Sequence, residues 1–215
     1  MKYSVAVFDM DGTILYTLDD LTDALNVGLK KLGFPLRTVD EVRTMVGNGM
    51  RKLIERGVPA GTDKADTDAV FAAFTEYYSA HCADKTRPYD GIVDLLIALR
   101  ERGVKTAVVS NKSDAGVKAL VGRCFAGLFD VSVGERPGLS RKPAPDGVDA
   151  ALKELGADKA DAVYIGDSEV DYQTAVNASL PCISVTWGFR DRDFVASFGA
   201  DTFANTPADV LRLME

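Results

Sequence analysis

Short, apolar, β-branched runs alternate with segments of helical periodicity along most of this chain. The clearest runs are Val5–Phe8, Thr106–Val109, Ala162–Ile165 and Cys182–Val185, with a weaker one at Asp130–Val133. Runs this short, with no polar alternation, predict strands buried on both faces of a parallel sheet. Between them, Ile92, Leu95, Leu96 and Leu99 follow the i, i+3, i+4, i+7 spacing of an amphipathic helix. Val148, Ala151, Leu152 and Leu155 do the same, and Val117, Leu120, Val121 and Cys124 come close. Strands alternating with helices predict an α/β fold whose core is a doubly wound, Rossmann-like parallel sheet.

One interval breaks the rhythm. No strand-like run appears between Asp9 and Val104, although a parallel crossover needs only about a dozen residues. Helical segments fill it, around Leu18–Leu32, Val39–Met45, Met50–Arg56 and Asp66–Cys82. Thr17, with Asp20 three residues on, reads as a capping box opening the first of these. The prediction is a small all-helical cap domain over residues 15–87, hinged at both ends, with the α/β core formed by 1–14 and 88–215.

Composition narrows the function classes. With 215 residues, 47% apolar and 27% charged, the chain can bury a substantial core. No apolar run reaches the roughly 20 residues needed to span a bilayer, and no secretory leader pattern opens the chain. A net charge of −7 is the wrong sign for a general nucleic-acid binder. Cys82, Cys124 and Cys182 are far apart and lack metal-ligand spacing, which suits reduced thiols in a cytoplasmic protein. The lone histidine, His81, gives little basis for a histidine metal site or a Ser-His-Asp triad and reads as a surface or satisfied side chain. No membrane or nucleic-acid partner is expected, and a monomer or a homodimer both remain open.

The polar residues that end the apolar runs carry the chemistry. Asp9 and Asp11 follow the first run, with Gly12 and Thr13 beyond them; Ser110-Asn111 follow the second; Gly166-Asp167 follow Ala162–Ile165. Ligands of open parallel sheets bind at the carboxyl ends of the strands, so these groups converge on one edge. Lys142, in Arg141-Lys142-Pro143-Ala144-Pro145, adds a cation just before a helix. Carboxylates at buried strand ends must be paired or bind a metal, and carboxylates, a hydroxyl and a lysine together suit phosphoryl transfer.

In this order the residues resemble the haloacid dehalogenase superfamily of phosphotransferases over essentially the whole chain. Asp9-x-Asp11-Gly12-Thr13 matches its first motif and Ser110-Asn111 its second. Lys142 with Pro-x-Pro matches the third, and Gly166-Asp167-Ser168-Glu169-Val170-Asp171 the fourth. The resemblance implies that Asp9 is the nucleophile forming an aspartyl phosphate, that Asp11 is the general acid and base, and that Lys142 offsets charge. A carboxylate of ordinary pKa, about 3.9, would already be ionised and need no base. The implied cofactor is Mg2+, held by Asp9, Asp167 and the backbone carbonyl of Asp11. Asp171 is either a further ligand or a carboxylate that orients others, because Ser168 and Asp171 also form a capping-box pattern. Ser110, the backbone around Asn111, and Thr13 would contact the phosphate, although Ser110 or Asn111 could equally cap the helix that follows.

Substrate choice rests on weaker signals. Dehalogenating relatives lack the second acid, so Asp11 points to phosphate esters. Val46-Gly47-Asn48-Gly49-Met50-Arg51-Lys52-Leu53 looks like the cap segment of phosphoglycolate phosphatases, as do Asn111-Lys112 and Pro88-Tyr89-Asp90-Gly91. On that resemblance Gly49, Arg51 and Lys112 would recognise the carboxylate of a small phosphorylated metabolite. Gly47 and Gly49 could also simply punctuate two helices. Tyr16-Thr17 departs from the Asp-Ser such proteins often carry here. The alternatives within reach are a sugar phosphomutase and a regulatory protein that accepts a phosphoryl group on its acid cluster.

Overall fold

Val5–Phe8 forms strand β1, and all of its side chains are buried. The computed structural model describes residues 1–215. Strand β2 (Leu15–Tyr16) follows, then helices α1 (Leu18–Lys31), α2 (Val39–Met45), α3 (Met50–Gly57) and α4 (Lys64–His81), and strand β3 (Arg87–Pro88). The remainder alternates: α5 (Ile92–Glu101), β4 (Lys105–Ser113), α6 (Asp114–Cys124), β5 (Val131–Glu135), α7 (Asp146–Leu155), β6 (Ala162–Gly166), α8 (Glu169–Ala178) and β7 (Cys182–Val185). Helix α9 (Arg192–Ala196), strand β8 (Phe203–Ala204) and helix α10 (Pro207–Met214) complete it. The chain divides into two compact units, Met1–Leu15 with Pro88–Glu215, and Tyr16–Arg87.

The larger unit is built on a six-stranded parallel sheet ordered β5-β4-β1-β6-β7-β8. Numbered by appearance in the sheet this is 3-2-1-4-5-6, the doubly wound order. Alternate strand residues point to opposite faces. Val5, Val7, Ala107, Val109, Val131, Val133, Ala162 and Tyr164 therefore share one face and pack against Val148, Ala151, Leu152 and Leu155 of α7 and Ala175 and Ala178 of α8. Ala6, Phe8, Val108, Val163 and Ile165, on the opposite face, are equally buried. Burial on both faces is why these strands read as unbroken apolar runs. Each fully buried Val, Leu, Ile or Phe among them contributes about 1.5–3 kcal/mol.

Strand β4 runs further than its apolar run, through Ser110, Asn111 and Lys112 to Ser113, with a register shift against β5 after Val109. Strand β8 had no readable signal, and β2 and β3 pair with each other as a separate two-stranded ribbon.

Within the helical unit, α1 packs along α4, and α2 and α3 pack on them. The capping box expected at Thr17 is not formed: Thr17 precedes α1, but its hydroxyl makes no cap bond. Asp20 is instead turned away by a tertiary demand, accepting hydrogen bonds from the backbone N–H groups of Lys85 (3.0 Å) and Thr86 (2.8 Å). Tyr16 donates to Asp19 (3.1 Å) and lies 4.4 Å from the Arg87 guanidinium. His81 pairs with Asp84 at 2.7 Å and stacks on Tyr77. All three cysteines are free, and no helix is long and apolar enough to cross a membrane.

Candidate active site

Parallel register brings the chemistry together. Phe8 is level with Val108 on one side and Ile165 on the other, so β1, β4 and β6 end side by side. The order of winding reverses between β1 and β6, which opens a crevice at their carboxyl ends. Asp9 and Asp167 flank it.

Lys142 is the hub. Its ammonium donates to Asp9 Oδ1 at 2.6 Å, Asp171 Oδ1 at 2.7 Å and the Tyr164 hydroxyl at 3.1 Å. The Tyr164 hydroxyl also lies 3.2 Å from Asp171 Oδ1. The other Asp171 oxygen accepts from the Ser168 hydroxyl (2.6 Å) and backbone N–H (3.1 Å), closing the capping box of α8. Both oxygens of Asp171 are thus occupied by protein donors. Asn111 fixes the main chain of Lys142 with two hydrogen bonds: its amide donates to the Lys142 carbonyl (3.1 Å), and its side-chain carbonyl accepts from the Lys142 N–H (2.8 Å).

Asp167 is framed from two loops. Its Oδ1 accepts from the Thr13 hydroxyl (3.0 Å), and its Oδ2 from the Phe189 backbone N–H (2.7 Å). Gly12 and Gly188 press against it, such that a Cβ on Gly12 would come within 2.4 Å of Asp167 Oδ2, and one on Gly188 within 2.2 Å of Asp167 Cβ. Only glycine fits at either position.

Burial and mutual repulsion set the titration of the cluster. Burial, with the neighbouring Asp171, pushes Asp9 well above the usual carboxylate range, and the pull of Lys142 does not cancel it. The expectation of an ordinary Asp9 carboxyl is therefore corrected. Asp167 is pushed up to about 7, by burial first and Asp171 second, against the donors Phe189 and Thr13. Burial works against the Lys142 ammonium, but Asp171 and Asp9 outweigh it and hold its pKa well above the ordinary value.

Asp9, Asp167 and Asp171 can each present an oxygen within 4.8 Å of the others. One lysine cannot neutralise three buried carboxylates, and the raised proton affinities of Asp9 and Asp167 express the imbalance. The donor set, carboxylate oxygens without nitrogen or sulfur, fits a hard divalent cation such as Mg2+. Asp9 accepts from Lys142 on one oxygen and Asp167 accepts one hydrogen bond on each, whereas Asp171 accepts two on each, so Asp9 and Asp167 keep more acceptor capacity for a cation.

The remaining predicted residues lie around this centre with distinct partners. Asp11 is part-exposed, its Oδ1 lacks a hydrogen-bond partner, and the ammonium of Lys112 stands 3.3 Å from it. Lys112 is itself buried, its side chain only 4% exposed. Ser110 is buried, and its hydroxyl accepts from the Lys112 N–H at 3.2 Å. Neither Ser110 nor Asn111 caps the next helix; Ser113 does, accepting from Gly116. Inside the helical unit, Gly47 and Gly49 have left-handed φ values of 113° and 84°, and Gly49 directly precedes α3. Arg51 pairs with Asp68 at 2.6 Å and Glu55 at 3.4 Å and lies over the Phe71 ring.

Two participants escaped the sequence reading. Tyr164 interrupts an otherwise aliphatic strand run, the one signal it gave. The Trp187-Gly188-Phe189 segment beyond β7 reaches Asp167 through a main-chain N–H, which no side-chain pattern reveals.

A doubly wound, Rossmann-like sheet with a carboxylate–lysine centre at its switch point suits phosphoryl-transfer chemistry. Residues 6–185 match the haloacid dehalogenase-like hydrolases, and the chain belongs to that family. It is 35% identical over 207 residues to the phosphoglycolate phosphatase of Caulobacter vibrioides, covering 94% of this chain and 87% of that one. It is 28% identical to the N-acetylmuramic acid 6-phosphate phosphatase of Pseudomonas aeruginosa, with 100% and 96% covered. The crystal structure of a candidate phosphoglycolate phosphatase from Lactobacillus delbrueckii subsp. bulgaricus superposes with a TM-score of 0.95 at 38% identity, covering 100% and 99%.

Proposed function

We propose that the protein is a Mg2+-dependent phosphomonoesterase working through an aspartyl phosphate on Asp9, with 2-phosphoglycolate or a similarly small phosphometabolite as substrate. The observation that carries this reading is the Asp9 carboxylate at the sheet's switch point, held at 2.6 Å by a lysine that Asp171 and Asp9 keep charged.

In the first step an Asp9 oxygen attacks phosphorus and the ester P–O bond breaks. Asp11 protonates the departing alkoxide, so the alcohol leaves neutral. In the second step Asp11 takes a proton from water, the water oxygen attacks phosphorus, and phosphate leaves while the Asp9 carboxylate is restored. The acid–base role of Asp11 is supported by its place two residues after Asp9 and by its part-exposed carboxylate, which the Lys112 ammonium approaches to 3.3 Å. Lys142 offsets negative charge as the phosphate approaches Asp9. Asp9 and Asp167 would hold a divalent cation, which would add positive charge beside the phosphate. Ser110 lies at the end of β4 beside the same crevice, whereas the Thr13 hydroxyl is engaged with Asp167.

The curated phosphoglycolate phosphatases support a small anionic ester, and Lys112 is the residue suited to pair with its second charge. The N-acetylmuramic acid 6-phosphate phosphatase shows that relatives of similar coverage accept a bulkier sugar ester. Phosphate release from 2-phosphoglycolate, N-acetylmuramic acid 6-phosphate, hexose phosphates, nucleoside monophosphates and pyrophosphate, with Mg2+ and with a chelator, tests the reading. A preference for 2-phosphoglycolate of about tenfold in kcat/KM, or about 1.4 kcal/mol, is expected. Release of no phosphate from any ester, or isomerisation of a sugar phosphate without release, overturns it.

A further inference from the structure

Trp187, the chain's single tryptophan, lies outside every motif of the site and is tied to it at one atom. Its indole N–H donates to the backbone carbonyl of Thr13 at 2.9 Å. Thr13 is fully buried, and its hydroxyl donates a hydrogen bond to Asp167 Oδ1 at 3.0 Å. Two residues beyond Trp187, the Phe189 N–H donates to Asp167 Oδ2 at 2.7 Å. The contacts close a ring: indole to the Thr13 carbonyl, Thr13 hydroxyl to one carboxylate oxygen, Phe189 N–H to the other, and main chain back through Gly188 to the indole.

Both clamps on Asp167 hang from loops, one after β1 and one after β7. A carboxylate held by two independent loops would turn whenever either loop moved. The indole–carbonyl bond couples them, and Gly188 keeps the second loop hard against the Asp167 Cβ. We propose that Trp187 is a positioning residue for the cation site, fixing the rotation of the Asp167 carboxylate by locking Thr13 to the Phe189 loop. The proposal rests on the reading of Asp167 as a ligand of the divalent cation. Outer residues that orient a ligand commonly carry about 10–100-fold of metal affinity.

The test is calorimetric titration of Mg2+ into the full-length wild type, Trp187→Phe and Asp167→Asn, with a thermal melt of each. Phenylalanine keeps the ring and removes only the N–H donor. A folded Trp187→Phe variant whose Mg2+ affinity falls by about tenfold or more supports the proposal. A folded variant that binds within twofold of wild type overturns it, even if its melting temperature is lower, because that is what a packing role alone would give. Should the variant fail to fold, the wild-type indole emission decides. A saturable change on Mg2+ titration, absent in Asp167→Asn, supports the coupling; an indifferent emission overturns it. Wild-type affinity in Asp167→Asn would sink the cation reading itself, whereas weak binding there with wild-type binding in Trp187→Phe removes Trp187 alone.

Discussion

Lys142 and Asp171 form a buried ion pair at 2.7 Å, with both side chains almost fully withdrawn from solvent. Each Asp171 oxygen already accepts from protein donors, from Lys142 and Tyr164 on one side and Ser168 on the other. Of the two readings open for Asp171, these contacts favour orientation: it holds the Lys142 ammonium, which also reaches Asp9, and caps α8 at the same time.

Asp171→Ala therefore leaves a buried ammonium with one partner fewer, a change that costs about 3–5 kcal/mol in buried pairs. Denaturant melts should record a loss of that order. In the milder Asp171→Asn, kcat should fall by about 10–100-fold while Mg2+ affinity holds within a few-fold. A large loss of Mg2+ affinity with little change in kcat would return Asp171 to direct coordination.

Asp9→Asn removes the proposed nucleophile while keeping its shape. Loss of one member of a concerted catalytic group costs about 10⁴-fold or more in kcat, and steady-state assays with 2-phosphoglycolate should show it. Burial already disfavours the ionised Asp9, so the cation-free variant should melt no lower than wild type. Near-normal turnover in the pure variant would exclude the covalent route.

Asp167 gives the pH dependence. Its folded pKa, about 7, lies above the unfolded value of about 3.9. Between the two, the native state binds a proton that the unfolded chain releases, so this group's contribution to stability declines as pH rises through that window. Coordination needs the ionised carboxylate, so the melting-temperature rise given by Mg2+ should be larger at about pH 7.5 than at about pH 5.5. Thermal scans of wild type against Asp167→Asn isolate the effect. Equal Mg2+ shifts at both pH values in the wild type would break the link.

Two threonines at helix starts should respond in opposite ways. Thr38 makes a complete capping box with Glu41, so Thr38→Ala should cost about 1 kcal/mol. The Thr17 hydroxyl is buried without a hydrogen-bond partner, so Thr17→Val should be neutral or stabilising. Chemical denaturation of both variants reads the contrast directly.

Thr17 also marks where sequence reading stops. The pattern Thr17-x-x-Asp20 has the right local chemistry, but a competing pair of backbone donors at Lys85 and Thr86 takes the carboxylate. Buried strands were legible because burial on both faces leaves a composition that survives any tertiary context. β8 was not, since two residues carry no period, and β4 outran its apolar run because Ser110, Asn111 and Lys112 are buried polar groups satisfied at the site. The convergence of Asp9, Lys142 and Asp167 could be read because each follows a strand or shortly precedes a helix. Tyr164, Trp187 and the Phe189 N–H act through distance and main-chain geometry, which spacing along the chain does not encode.

The paired ribbon of β2 and β3 bears on how this molecule assembles. The crossover from β1 to β4 encloses the whole of Tyr16–Arg87, yet its entry and exit strands are hydrogen-bonded neighbours. With the ribbon closed, the path from β1 to β4 shortens to residues 9–14, one step across the ribbon, and residues 89–104, which carry α5. The entropic charge for bringing β1 beside β4 is then that of a short loop rather than a long one. A nested order of folding, helices first and sheet second, would make the slow parallel pairing fast.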